Sequence, residues 1–189
     1  VADAQEPLTL DQAKANLRVD ANDEDTLIGD LIVSAREHIE NVTGLVLVPR
    51  ALTETAPTLG RWIDLRSWPV QEVTAVRYPA LGVMTALADG AWLYSKKARP
   101  VRLVPATWGW GVGAAALMRC GPGLAVEIDV TAGYQSPDEV PATVKRAMQL
   151  LIAHWYVNRP AVLSGDRAAA VELPLGVADL LRSLKRKVI

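Results

Sequence analysis

The spacing of apolar residues changes twice along the chain. It is helical at both ends and alternating in the middle. Thr9 followed three residues later by Gln12 is a capping-box pattern, so the spacing predicts a first helix over residues 9–19 with Leu10, Ala13 and Leu17 on one face. Asn22 stands where a second N-cap is wanted, with Asp23, Glu24 and Asp25 expected in the first turn, where carboxylates favour the positive end of the helix dipole. Leu27, Ile28, Leu31, Ile32, Ala35, Ile39 and Val42 then recur at helical spacing up to Gly44, which predicts a helix over 23–43.

From Leu45 the pattern reads as β. LVLV, RWIDLR and VQEVTAVRY are short apolar or alternating runs separated by breaks at Pro57, Gly60, Pro69 and Pro79. The clearest strand is LAVEIDVTAGY, with Leu124, Val126, Ile128, Val130 and Ala132 pointing one way and Glu127, Asp129 and Thr131 the other. Helical spacing returns over 141–158, where Val144, Ala147, Met148, Leu151, Ile152, Trp155 and Tyr156 form an apolar face wide enough to pack against the 23–43 helix.

The fold class expected is therefore α+β. Helices from both ends of the chain form a bundle, an antiparallel β-rich insertion spans 45–134, and a C-terminal arm spans 161–189. Residues 1–8 are expected to be a loose tail, and 9–160 a single domain.

Composition narrows the class. Half of the 189 residues are hydrophobic and the mean hydropathy is +0.15, enough to bury a core. Yet no apolar stretch reaches the length a bilayer needs, and VADAQEP lacks the order of a secretory signal. Cys120 is the single cysteine and has no partner at metal-ligand spacing, which speaks against a disulfide scaffold or a zinc module and suits synthesis in a reducing cytoplasm. The formal net charge of -1 removes the usual footprint of a nucleic-acid binder. The charge is unevenly distributed, with ten acidic and three basic side chains in residues 1–44 and three acidic and eight basic in 141–189. Such asymmetry suits a solvated face, and also a molecule that meets copies of itself head to tail.

A search for chemistry finds none. His38 is expected on a solvated helix flank and His154 on the edge of an apolar stripe with a local hydrogen bond. Glu37, His38 and Glu40 lack the HExxH spacing. Gly109, Gly111 and Gly113 in WGWGVG have neither dinucleotide-loop nor P-loop spacing, and Ser164 lacks a nucleophile-elbow context. No catalytic residue, metal site or cofactor is expected. Trp108 and Trp110 are read either as interface anchors or as core residues. The last segment places Leu173, Val177, Leu180, Leu181 and Leu184 at helical spacing beside Arg182, Lys185, Arg186 and Lys187. Gly176 weakens it as an isolated helix by ~1 kcal/mol. An apolar face with a cationic edge suits closure over the chain's own core, or docking in a groove on another protein that would then supply its order.

Three blocks in order carry a resemblance. They are LTLDQAKANLRVDANDEDTLIGDLIVSAREHIENVTG, with KxxLRVD, the acidic NDED and the closing TG; WPVQEVTAVRY; and VTAGYQSPDEVPATVKRAMQLLIAHWYVNRPAV followed by ELPLGVADLL. Taken together they resemble the head-tail connector, or adaptor, proteins of long-tailed bacteriophages and gene transfer agents. The stretch from Gly82 to Gly123 matches no pattern of that family. The resemblance implies a non-enzymatic virion protein of the particle neck. It would form a homo-oligomeric ring, commonly a dodecamer, under the portal protein and above a stopper or tail-terminator protein, with DNA passing through the channel and no membrane involved. It further implies that Leu180, Leu181, Arg182, Leu184, Lys185, Arg186 and Lys187 dock on the portal, and that Trp108, Trp110, Asp23, Glu24 and Asp25 face neighbouring subunits or the next tail component. The alternatives are a tail-completion or stopper protein of the same neck, a nucleic-acid-binding module using the basic tail, and a small enzyme or ligand-binding domain around the glycine-rich loop.

Overall fold

A computed structural model of the chain describes residues 5–80, 83–107, 109, 110, 112, 125–158, 175–182 and 184. The chain divides into two compact units, one built from both chain ends (1–48 and 134–189) and one from the segment between them (49–133). Ser164, Cys120, Gly111, Gly113 and Trp108 lie outside the described residues.

The end-built unit is helical. Helix α1 (Leu10–Leu17) starts on the capping box, with Thr9 Oγ1 accepting from Gln12 N–H at 3.2 Å and Gln12 Oε1 accepting from Thr9 N–H at 3.1 Å. It ends earlier than expected because Arg18 adopts a left-handed conformation, φ 59°. Helix α2 (Asp25–Thr43) starts later than expected, and Asn22 is not its cap. The Asn22 side-chain oxygen instead accepts from Lys14 Nζ at 2.7 Å, and only Asp25 lies in the first turn. Ile28, Ile32, Ala35 and Ile39 form the buried side of α2. A 3-10 turn (Pro137–Glu139) precedes α3 (Ala142–Val157), which buries Val144, Ala147, Met148, Leu151 and Ile152 and packs on α2 as the periodicity predicts. Helix α4 (Leu175–Arg182) packs on α3 and α2.

The LVLV run is not a sheet strand. Leu45, Val46, Leu47 and Val48 are all buried within the helical unit, whereas a half-buried strand would expose every second side chain. A buried carboxylate holds the run in place. Glu40 Oε1 accepts the Leu47 N–H at 2.7 Å, and its other oxygen takes Arg36 Nη1 at 3.3 Å. Arg36 also donates to Glu6 at 3.0 and 3.1 Å, and Leu8 is buried, so residues 6–8 are anchored rather than loose.

The other unit contains two antiparallel sheets. The first is a four-stranded sheet in the order β1-β7-β3-β4: β1 (Arg50–Ala56), β7 (Val126–Ala132), β3 (Val70–Ala80) and β4 (Val83–Ala86). The second has the order β2-β6-β5: β2 (Ile63–Asp64), β6 (Arg102–Pro105) and β5 (Trp92–Leu93). In β7 Val126, Ile128, Val130 and Ala132 are buried and the residues between them are not, as the alternation requires. One core joins these side chains to Val70, Val73 and Val76 of β3 and to Ile63 and Leu103 of the small sheet. Pro79 does not break the chain but lies inside β3. Past Arg77 this strand pairs only with β4, so a residue without an N–H is tolerated there.

Across the solvent face of the larger sheet, Arg77 forms a fork onto Asp129 at 2.6 and 2.9 Å and reaches Glu127 at 3.1 Å, while Thr53 Oγ1 donates to Asp129 at 2.8 Å. Partial burial works to raise the Asp129 carboxyl. The hydrogen bonds from Thr53 and Arg77, with the guanidinium charge, outweigh it and hold the group below the usual carboxylate range.

Two outcomes are expected. Glu40→Ala leaves Arg36 half-paired and the Leu47 N–H without this acceptor, and costs about 3 kcal/mol or more in urea unfolding. A loss near zero would contradict this role. Because the native Asp129 carboxyl is depressed, its contribution is fully present above the ordinary carboxylate range and is lost as pH falls through the native value. Asp129→Asn should therefore flatten the acid limb of stability against pH, measured by denaturant titration from neutrality downward, and an unchanged limb would refute it.

Candidate functional site

The described residues contain no group of three His, Cys, Asp or Glu side chains placed to hold a metal, and no helix long and apolar enough to cross a membrane. His38 is half-buried rather than a solvated flank, because its ring sits edge-on to Trp155 at 6.0 Å. His154 has the expected local partner, Asn158, at 3.3 Å from Nδ1. Among the described residues neither ring's Nε2 meets a hydrogen-bonding partner.

The terminal helix has two sides. Val177 and Leu181 are 0% and 2% exposed, facing the helical unit's own core. Leu181 is therefore not free to dock on a partner, and the order of α4 comes from α3 and α2 rather than from another protein. Gly176 does not prevent the helix, since it lies in the first turn instead of the interior. Leu180 and Leu184 are half-buried, and Arg182 is exposed and paired with Asp179 at 3.1 Å. Lys185, Arg186 and Lys187 lie outside the described residues.

The acidic cluster before α2 is mostly engaged inside its own unit. Asp25 pairs with Lys14 at 2.7 Å and Glu24 accepts from the Tyr156 hydroxyl, leaving Asp23 exposed. Further along α2, Asp30 and Glu37 also face outward, one turn before and one turn after the exposed Val33. Trp110 is 3% exposed and its Nε1–H donates to Gly60 O at 2.6 Å, so this ring belongs to the β core and is not a surface anchor.

Among the described residues the exposed aromatic is Trp62, which the sequence pattern alone does not single out. It is 43% exposed, with the guanidinium of Arg102 at 4.6 Å and that of Arg61 at 5.7 Å from its ring centre. Arg102 is fixed by a fork onto Asp64 at 2.7 and 3.1 Å, and these bonds raise the guanidinium further above its already high range. The signal was present in RWIDLR. Once Ile63 and Leu65 face the core, period-two alternation puts Trp62 and Asp64 on the opposite side. Pairing of Ile63 with Leu103 and of Leu93 with Val104, continued by one residue, sets Trp62, Val104 and Leu93 in one outward row. Leu93 is 57% exposed. Arg and Trp beside apolar surface are the residue types that dominate protein interfaces.

Known proteins give the surfaces a context. Residues 7–66 match the model of the family described as phage gp6-like head-tail connector protein. A chain from the neck of an empty GTA particle, computed with C6 symmetry, is similar over 100% of this chain and 95% of its own, at 26% identity and a TM-score of 0.69. A chain from the virion of a native gene transfer agent (GTA) particle is similar over 100% of this chain and 95% of its own, at 25% identity and a TM-score of 0.71. A third, from the neck of a native GTA particle computed with C12 symmetry, covers 99% and 97% at 26% identity and a TM-score of 0.65. No curated protein matches the chain. The resemblance read from three sequence blocks thus meets a match to the head-tail connector family model over residues 7–66 and a likeness of fold along the whole length to chains of gene transfer agent necks and virions.

Proposed function

We propose that the chain is the connector, or adaptor, subunit of a phage or gene-transfer-agent neck. In this reading twelve copies close into a ring between the portal protein and a stopper or tail-terminator protein, and the ring lines the channel through which DNA leaves. The observation that carries the reading is the whole-length likeness to chains of GTA necks, one of them computed with C12 symmetry. The physical features support it. Titratable side chains such as Glu40, Arg36, Asp129 and Arg77 are engaged with one another in structural networks. A formal net charge of -1 suits a wall past which DNA must slide without sticking, since each cationic phosphate contact raises affinity.

Portal docking falls to the side of α4 that does not face the core. Leu180, Arg182 and Leu184, with Lys185, Arg186 and Lys187 beyond them, form the docking edge, while Leu181 holds the helix to its unit. Stability and docking should therefore separate. Leu181→Ala costs about 2–5 kcal/mol in denaturant unfolding. Arg182→Glu leaves stability within about 0.5 kcal/mol of the parent and weakens capture on purified portal. Removing residues 182–189 abolishes that capture and leaves affinity for duplex DNA weak and unchanged. Undiminished portal binding by the shortened chain would overturn the docking assignment. Submicromolar DNA binding that disappears with the deletion would favour a nucleic-acid module instead.

A further inference from the structure

Two surfaces of this chain, one on each unit, complement each other in polarity and charge. On α2, Thr26, Asp30, Val33, Glu37 and Asn41 are exposed at helical spacing, opposite the buried side formed by Ile28, Ile32, Ala35 and Ile39. Val33 is 36% exposed and sits between the two carboxylates. The nearby cation, Arg36, is engaged by Glu6 and Glu40 and makes only a longer contact of 3.5 Å with Glu37, so the stripe keeps an acidic character.

The small sheet presents the reverse. Its outward row of Trp62, Val104 and Leu93 includes two of the large apolar side chains most exposed to solvent among the described residues. Arg61, Lys96 and Lys97 are exposed near it, with Arg102 stacked on Trp62. Asp64 lies on the same face but is held by Arg102, and Asp89 is exposed in the turn before β5. A DNA backbone is a poor occupant, because Arg102 is already neutralised by Asp64 and phosphates would leave Trp62 and Leu93 in water.

From this complementarity we infer that the α2 stripe of one copy packs on the Trp62–Leu93 row of the next. Val33 meets the apolar row, and Asp30 and Glu37 face Arg61 and the lysines. The inference rests on the ring reading and deepens it by assigning its repeating contact. Two different patches meeting head to tail make a heterologous contact, the type that generates a ring when the rotation closes. Opposed charges would also set the register and disfavour stripe-to-stripe pairing.

The test uses two full-length variants, Asp30→Lys with Glu37→Lys and Arg61→Glu with Lys97→Glu. All four positions are exposed, and circular dichroism checks that both variants fold. Ring formation is scored by electron microscopy and sedimentation, with and without purified portal. The parent forms rings, each variant alone forms none, and an equimolar mixture restores rings, because every stripe then meets a row of opposite sign. Rings from either variant alone overturn the inference, and so does a mixture that stays unassembled. If Trp62→Ala with Leu93→Ala keeps the ring but loses binding to the next neck protein, the row belongs to that protein and the inference fails. A parent chain that never forms a ring, even with portal, brings down the ring reading itself, an outcome distinct from the others.

Discussion

The fold depends on β1 and β7 pairing antiparallel across the full length of both strands, from Arg50 opposite Ala132 to Ala56 opposite Val126. The helical unit is assembled from the two ends of the chain, so the intervening segment must leave and return at one place. Pairing the first strand of the insertion with its last does this, and β3 on the other side of β7, with the Gly133 N–H donating to Pro69 O at 2.9 Å, secures the exit. With the ends held together, α2 and α3 can bury Ile28, Ile32, Ile39, Val144, Met148, Leu151 and Ile152 against one another and their neighbours. Each such side chain contributes about 1.5–3 kcal/mol relative to exposure. The loop-closure entropy of bringing together helices nearly a hundred residues apart in sequence is thereby offset by the sheet.

Much of this was legible in the residues. The capping box at Thr9 and Gln12, the apolar side of α2, the alternation of β7 and the apolar side of α3 are local patterns with one dominant period, and the structure follows them. What could not be read depended on partners far away in sequence. Asn22 has the right chemistry for an N-cap, but Lys14 takes its side chain. LVLV has the composition of a strand, but all four residues are buried in the helical unit, where Glu40 accepts the Leu47 N–H. Glu40 itself reads as a surface acid until its partners at positions 36 and 47 are known.

The candidate surfaces show the same division. Apolar content alone drew attention to Trp108, Trp110 and the terminal leucines, yet Trp110 and Leu181 face the chain's own core. Trp62, the aromatic left in solvent among the described residues, was visible only through the alternation of its strand, and Leu93 only through the pairing of β5 with β6. Of the acidic cluster expected at an interface, Lys14 and Tyr156 take up Asp25 and Glu24, Asp23 stays exposed, and further outward acids lie along α2. The ion pairs of Arg36 and Lys14 lie within the helical unit and those of Arg77 and Arg102 within the other, while the exposed row of Trp62 and Leu93 carries the residue types that protein interfaces favour.

Electron cryomicroscopy of particle necks, from cells with and without this chain, tests the central claim most directly. The account predicts a closed ring of twelve copies between portal and tail, and a neck that stops at the portal when the chain is missing. Complete necks in its absence, or density for it anywhere other than that ring, would contradict the account.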